Sequence, residues 1–259
     1  MRSTLPTAAL ELLQQSDQTH PILITEADLL KLPEAIQRYL RYTRVVGKEP
    51  IHTVRLKQRG FFRTQPGQKW LPMVAEEYFT TNPLAFLWYG KIRLFPLISI
   101  SAWDRFSNGH GTLLVKPLSL VTLADVHGPE ADQSELLRYL GEIIWFPTAW
   151  LSDAIEWQAI YTQSVKVTTR QPSVTVSAVL HVNEPGQMTH LTAERYMAER
   201  KSYKLERWSA QCTEYQEVSG MLIPTRVEVT WNLESGDFNY FRGEITEIEY
   251  NQSGRVTVF

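Results

Sequence analysis

A mainly β (α+β) fold, built on one large curved antiparallel sheet or half-barrel with N-terminal helices and a central helix packed against it, is the class this sequence predicts. Three observations predict it. From Ile51 onward, apolar residues recur with a period of two in segment after segment of strand length. Turn-forming pairs and triplets separate those segments, and short connections imply antiparallel neighbours. One stretch alone, residues 132–146, breaks the run with a helical period.

Before the strands, residues 4–18 and 25–44 are helix-patterned. Thr25 with Asp28 reads as a capping box, and Pro33 suits the first turn of a further helix carrying Ala35, Ile36, Tyr39 and Leu40 on its apolar side. In the first strand Val54 and Leu56 alternate with Arg55, Lys57 and Arg59, and Gly60 interrupts the alternation as a bulge would. Strands follow at 69–80, 84–93, 97–107 and 111–123, divided by Pro66-Gly67, Asn82-Pro83, Pro96 and Asn108-Gly109. In the central helix, Leu136, Leu137, Leu140, Ile143 and Ile144 take one arc, while Glu135, Arg138, Glu142 and Trp145 take the other. Asp132 with Glu135 reads as its capping box, and Pro147 as its stop. Strands resume at 155–161, 164–170, 173–182, 187–200 and 203–218. The cleanest amphipathic strand holds Val227, Val229, Trp231 and Leu233 against Arg226, Glu228, Thr230 and Asn232, before a last strand at 238–250. The expected organisation is a helical segment, 1–50, packed on a single β domain, 51–259.

The composition, 43% hydrophobic and 21% charged, is that of an ordinary globular chain, with a heavy aromatic load of eight Trp, eleven Tyr and ten Phe. A net charge of −2 gives no overall pull toward nucleic acid or an anionic membrane. The single cysteine, Cys212, excludes an internal disulfide framework and reads as a buried thiol. No segment resembles a signal peptide or reaches transmembrane length, so the default compartment is the cytoplasm, with peripheral membrane association left open.

Catalytic signatures are sparse. There is no Gly-x-Ser-x-Gly elbow, and Gly109-His110-Gly111 reads as a strand turn rather than a phosphate cradle. Asp125-x-His127 is one pair without partners, so no metal site is expected, nor any cofactor. Glu247 and Glu249 share a strand face that reads as solvated. Between residues 38 and 70, nine basic residues stand against one acid, Glu49, which allows contact with an anionic surface or simply a charged solvent face. No recognition motif for nucleic acid accompanies them.

Several residues resemble an uncharacterised bacterial family, a domain of unknown function. They are Pro33, Arg38-Tyr39-Leu40, Gly60, Trp70-Leu71-Pro72, Asn82-Pro83 to Trp88, Asp104, Gly109-x-Gly111, Arg138-Tyr139-Leu140-x-Glu142-x-x-Trp145-x-Pro147 and Trp157. Tyr215, Gly220, Pro224, Trp231 and Glu247-Ile248-x-Tyr250 extend the likeness to roughly residues 30–251. The strand pattern and the turn before Pro224 also resemble the half-barrel of lipoprotein-carrier and lipoprotein-sorting proteins, which implies a sheet wrapped around a hydrophobic ligand.

The candidate site is the second face of the central helix. Glu135, Arg138 and Glu142 have the spacing of surface ion pairs, each contributing about 0.2–0.5 kcal/mol. Trp145 on the same stripe points instead to a covered face. The expectation is a non-enzymatic binder of a hydrophobic or amphipathic, lipid-like molecule, with Arg138 and Glu142 as polar contacts and Trp145, Trp88 and Trp103 as lining. Two alternatives stand beside it: an enzyme using Glu142 as general acid/base, and an interaction domain whose core is filled by its own side chains.

Overall fold

The computed structural model describes residues 4–16, 22–95, 98–117, 124–199 and 202–251. Three short helices, α1 (Thr4–Gln14), α2 (Glu26–Leu29) and α3 (Glu34–Tyr42), precede five strands: β1 (Thr53–Phe62), β2 (Leu71–Thr81), β3 (Leu84–Phe95), β4 (Ile98–Ser107) and β5 (His110–Pro117). The short β6 (Ala124–Val126) leads into the central helix α4 (Pro129–Glu142). After it come β7 (Ile155–Tyr161), β8 (Ser164–Gln171), β9 (Val174–Val182), β10 (Met188–Glu199), β11 (Ser202–Val218), β12 (Met221–Leu233) and β13 (Gly236–Tyr250). All thirteen strands form one antiparallel sheet in the order β6-β5-β4-β3-β2-β1-β13-β12-β11-β10-β9-β8-β7. Nearly every strand is a hairpin partner of its sequence neighbour, and β1 joins the two halves by pairing with β13.

The sheet is curled into a half-barrel around α4. Ala131 of the helix abuts Gly111 on β5, while the side chains of Gln133 and Ser134 donate to the backbone carbonyls of Glu194 and Tyr196 on β10. Those strands lie near opposite ends of the sheet order, so one short helix reaches both only if the sheet wraps round it. The β4–β5 and β8–β9 turns also meet, the Ser173 hydroxyl donating to the Gly109 carbonyl at 2.7 Å. Among the described residues the edge strands β6 and β7 do not pair with each other, so the barrel stays open.

The main core fills the inner face. Phe79 stands at 4.9 Å from Phe146 and 6.0 Å from both Phe86 and Tyr139, and Trp150, Tyr39 and Phe106 are fully buried with them. Burying rings of this size supplies much of the driving force for the fold. Polar tips are met: the Tyr139 hydroxyl donates to the Thr80 carbonyl at 3.0 Å, and the Tyr250 hydroxyl to the Trp145 carbonyl. α1 packs on the outer face instead, where Ala9 and Leu12 cover Tyr78, Ala85 and Leu87.

Several boundaries differ from expectation for identifiable reasons. The stretch 25–44 is two helices, because Pro33 caps α3 rather than lying inside a continuous one. The Thr25 box forms: Asp28 Oδ2 accepts from the Thr25 backbone N–H at 2.8 Å and from its hydroxyl at 2.7 Å, which lowers the Asp28 pKa. α4 starts at Pro129 after Gly128, not at an Asp132 cap; Asp132 lies within the first turn and accepts from the Gly111 N–H at 2.7 Å. It ends at Glu142 and tightens into a 3-10 turn, Ile143–Trp145, before Pro147 opens a second one, Pro147–Leu151. Gly60 is not a bulge. It faces Gly243 across the ladder, where an added Cβ would come within 2.0 Å of the Arg242 carbonyl oxygen. The bulge in that pair falls opposite Lys57/Gln58, on β13. The expected strand 111–123 pairs as His110–Pro117, and residues 118–123 lie outside the described residues.

Candidate functional site

Strand alternation places three carboxylate or amide side chains among apolar neighbours on the inner face. Gln58 follows Val54 and Leu56, Glu77 follows Met73 and Ala75, and Asp104 sits between Ala102 and Phe106. Glu135 and Glu142 reach the same region from α4. Their hub is Arg138. Its Nε donates to Glu142 at 3.0 Å, one terminal nitrogen to Glu77 at 2.9 Å, and the other to Asp104. Its guanidinium lies 5.0 Å from the Trp88 ring centre and 5.1 Å from Phe86. Glu77, fully buried, accepts a further hydrogen bond from the Gln58 amide at 3.1 Å, and Gln58 in turn accepts from Trp88 Nε1 at 3.3 Å.

The network continues through α4. Arg195 on β10 lies 3.7 Å from Glu135, 5.4 Å over the Trp208 ring, and donates to the Tyr240 hydroxyl at 3.1 Å. Trp208 Nε1 donates to that same hydroxyl at 3.1 Å. Tyr240 reaches the inner face because the β12–β13 register shifts between Val229 and Thr230, so it stacks on Trp231 at 5.8 Å and meets Phe62 edge-on at 6.1 Å.

Four carboxylates facing two guanidiniums cannot all be ionised in a buried space, and the pKa values show where protons stay. Burial, then the neighbouring Glu142 charge, holds Glu77 well above the usual carboxylate range against the pull of Arg138. Burial also raises Asp104 and Glu142, with Arg138 opposing. Glu135 is pushed up to about 8 by burial and by Asp104. Burial works against the Arg138 charge, but Glu142, Glu77 and Asp104 fix it, and it remains an arginine cation. Glu77 and Glu142 also interact directly, which helps to hold Glu77 up, and Glu142 Oε2 is buried without a hydrogen-bond partner in the chain. Glu135 Oε2, Asp104 Oδ1 and Arg195 Nε are likewise buried without a hydrogen-bond partner in the chain.

This charge state has a stability consequence. A Glu135 pKa of 4.5 in the unfolded chain and about 8 in the folded one means that the unfolded chain releases the proton first. The contribution is whole below pH 4.5 and is lost as pH rises to about 8. Glu135→Gln is expected to flatten the fall in melting temperature across that window, measured by thermal melts at a series of pH values. An unchanged slope would place the proton elsewhere.

Of the residues expected in the site, Arg138, Glu142 and Trp88 come together. Trp145 does not join them: the tighter 3-10 turn after Glu142 rotates it off the stripe and into the core, with its Nε1 unpartnered. Trp103 alternates with Asp104 and lies on the outer face, 4.9 Å from Tyr89, so it lines nothing near Arg138. Glu77, Asp104, Gln58, Arg195 and Tyr240 were missed. The signal for the first three was a polar residue in phase with an apolar period of two.

Elsewhere, Asp125 and His127 form an exposed pair at 2.6 Å, and no group of three candidate metal ligands occurs among the described residues. Glu247 pairs with Lys57 and Glu249 with Arg55. The basic stretch 38–70 is largely neutralised: Arg38, Arg41, Arg44, Arg55, Lys57 and Arg59 each meet a glutamate. The asymmetry along the chain thus vanishes across the ladder, and the segment as a whole is no free cationic surface. No helix among the described residues is long and apolar enough to cross a membrane.

The pattern of a family of unknown function, DUF6544, matches residues 23–243. No protein of curated function matches. Among solved structures, a LolA superfamily protein from Nitrosomonas europaea is similar at 13% identity and a TM-score of 0.38, over 88% of this chain and 94% of that one. A domain described as an outer membrane lipoprotein-sorting protein from Vibrio parahaemolyticus is similar at 7% identity and a TM-score of 0.43, over 88% of this chain and 95% of that one. At these values neither likeness bears on a ligand.

Proposed function

The chain belongs to the DUF6544 family of unknown function, and from that premise we propose that it is a non-enzymatic binder of an amphipathic small molecule, held on the inner face of the half-barrel beside α4. One observation carries the reading. Beside α4, half-buried Phe62 and Tyr240 pack with Trp208 and Trp231 next to Arg195, whose Nε, like Glu135 Oε2 facing it, is buried without a partner. An aromatic wall with a few convergent polar groups is the usual make-up of a small-molecule site.

The polar groups choose the head of the molecule. Arg138 is saturated by three carboxylates, so it is a structural hub that holds Glu135 and Glu142 in place rather than a contact for an anion. Both guanidiniums already face acids, Arg138 three of them and Arg195 Glu135, so a carboxylate head gains no unshared cation there. A hydroxyl or amine head donates to Glu135 Oε2, and a hydroxyl also accepts from Arg195 Nε, supplying the partners both atoms lack. The aromatics take the apolar body.

Titrating the protein with a long-chain alcohol, amine and carboxylate of equal tail length, read by tryptophan fluorescence, tests this. The alcohol and amine are expected to give saturable shifts and the carboxylate a much weaker one. Trp231→Ala, which strips the wall without touching the charges, is expected to weaken binding about tenfold or more. Equal binding of all three probes, undiminished in Trp231→Ala, would sink the reading.

A further inference from the structure

The outer face of β3, β4 and β5 carries a charge pattern unlike the rest of the sheet. Lys91, Arg93, Arg105 and Lys116 all alternate outward there, and none of these strands presents an acid on that face: Asp104 points inward, to Arg138. None of the four cations has an ion pair among the described residues. On β1 and β12, by contrast, outward cations are neutralised, Arg55 by Glu76, Lys57 by Glu247, Arg59 by Glu244 and Arg226 by Glu214. The outward acids of the flanking strands are also engaged, Glu76 on β2 by Arg55 and Asp125 on β6 by His127.

Aromatic and aliphatic groups are interleaved with these charges. Lys91 lies 5.7 Å from the centre of the Tyr89 ring and Lys116 lies 5.8 Å from that of Trp103, the two rings packing at a tilt of 41° with centres 4.9 Å apart. At the β3–β4 hairpin end, Phe95 and Ile98 face each other in register and are 65% and 42% exposed, with Val74 on β2 58% exposed beside Lys91. Exposed apolar side chains grouped this way mark an interaction surface. α1 covers the same face further along, over Tyr78, Ala85 and Leu87, and leaves this end bare.

We propose that this end of the outer face docks on an anionic phospholipid surface. Lys91, Arg93 and Lys116 meet the head groups, Arg105 adds to the field, Tyr89 and Trp103 sit at the interface, and Phe95, Ile98 and Val74 reach the acyl boundary. Charge complementarity selects an anionic surface, and the bare aliphatic tip selects lipid over nucleic acid, whose backbone offers nothing for Ile98 or Val74 to enter. The docking face is separate from the inner-face site and does not depend on it.

Vesicle flotation with the full chain tests this, using phosphatidylcholine vesicles with and without phosphatidylglycerol. The protein is expected to float only with phosphatidylglycerol and to be released by high salt. At about 1 kcal/mol per basic residue near such a surface, Lys91→Ala with Arg93→Ala is expected to weaken binding roughly thirtyfold. Phe95→Ser with Ile98→Ser is expected to weaken it with the charges intact, whereas Arg226→Ala, which removes a neutralised cation, leaves it unchanged. Circular dichroism confirms that each variant is folded. No flotation with phosphatidylglycerol would overturn the proposal, as would equal flotation on both vesicles or flotation undiminished in both double variants. So would a loss confined to single-stranded DNA binding in the Lys91/Arg93 variant.

Discussion

Arg138→Met is expected to destabilise the protein by about 3–5 kcal/mol at pH 7, the range measured when one partner of a buried ion pair is removed. That is a large share of the roughly 5–15 kcal/mol that holds a typical protein folded, and corresponds to a fall of roughly 10 °C in melting temperature. The methionine fills most of the arginine's volume, so the loss is electrostatic. Glu142, Asp104 and Glu77 are left without their shared cation, and Glu77 has no exposure to water at all. The defect has a pH signature. Each of these acids is already raised by burial, so without Arg138 they protonate more readily still, and the variant recovers toward wild type as pH falls. Adding Glu142→Gln is expected to restore part of the loss at pH 7, because it removes a carboxylate that Arg138 Nε meets directly in the wild type. Denaturant melts of the two single variants and the double variant at pH 7 and pH 5 check this. A loss under about 1 kcal/mol at pH 7 would mean that the hub is no more than a surface pair.

Gly111→Ala is the second large effect, expected to lower stability by about 1–3 kcal/mol through overpacking and to weaken binding of the amphipathic probes as well. A Cβ at this position would stand 2.4 Å from the Ala131 carbonyl oxygen and 2.9 Å from Glu135 Cβ, so α4 must lift off β5. The lift strains the Gly111–Asp132 hydrogen bond and moves Glu135 with the helix. The same substitution at Gly141, inside α4, makes an instructive contrast. There the added Cβ meets only the edge of the Trp208 ring at 3.7 Å, an ordinary contact, so Gly141→Ala is expected to gain about 0.5–1 kcal/mol from helix propensity. Melting temperatures that move in opposite directions for the two glycines would confirm that Gly111 is a seat for the helix. A matching small gain at both would show that α4 rests elsewhere.

The fold was legible because its signals are local. Period-two alternation, the Asn108-Gly109 turn with both residues at positive φ, and the Thr25–Asp28 box are each readable within a few residues. The helix start was misread where two local signals competed. Gly128-Pro129 marks the true entry, but Asp132 with Glu135 imitates a cap, and only the packing of Gly111 against Ala131 shows that Asp132 serves β5. The site was half legible. Arg138 and Glu142 share a helix face one turn apart, whereas Glu77 is 61 residues from Arg138 in sequence and Asp104 is 34, distances that no periodicity links. Trp103 shows the reverse: its phase against Ala102 and Phe106 already places it outside, had the alternation been weighed above the size of the ring. The basic stretch misleads for a related reason: Arg38 and Arg41 find their glutamates on the nearby helices, but the partners of Arg44, Arg55, Lys57 and Arg59 come from β2, β13 and the β11 end, which only the fold brings alongside.

The most direct test of amphipath binding on the inner face is native mass spectrometry of the purified protein, followed by organic extraction of whatever accompanies it. A reproducible adduct, lost on denaturation and identified as a long-chain molecule with a hydroxyl or amine head, is the predicted result. A clean apo mass that stays unchanged after soaking in mixed lipids would contradict it and leave a half-barrel filled by its own side chains.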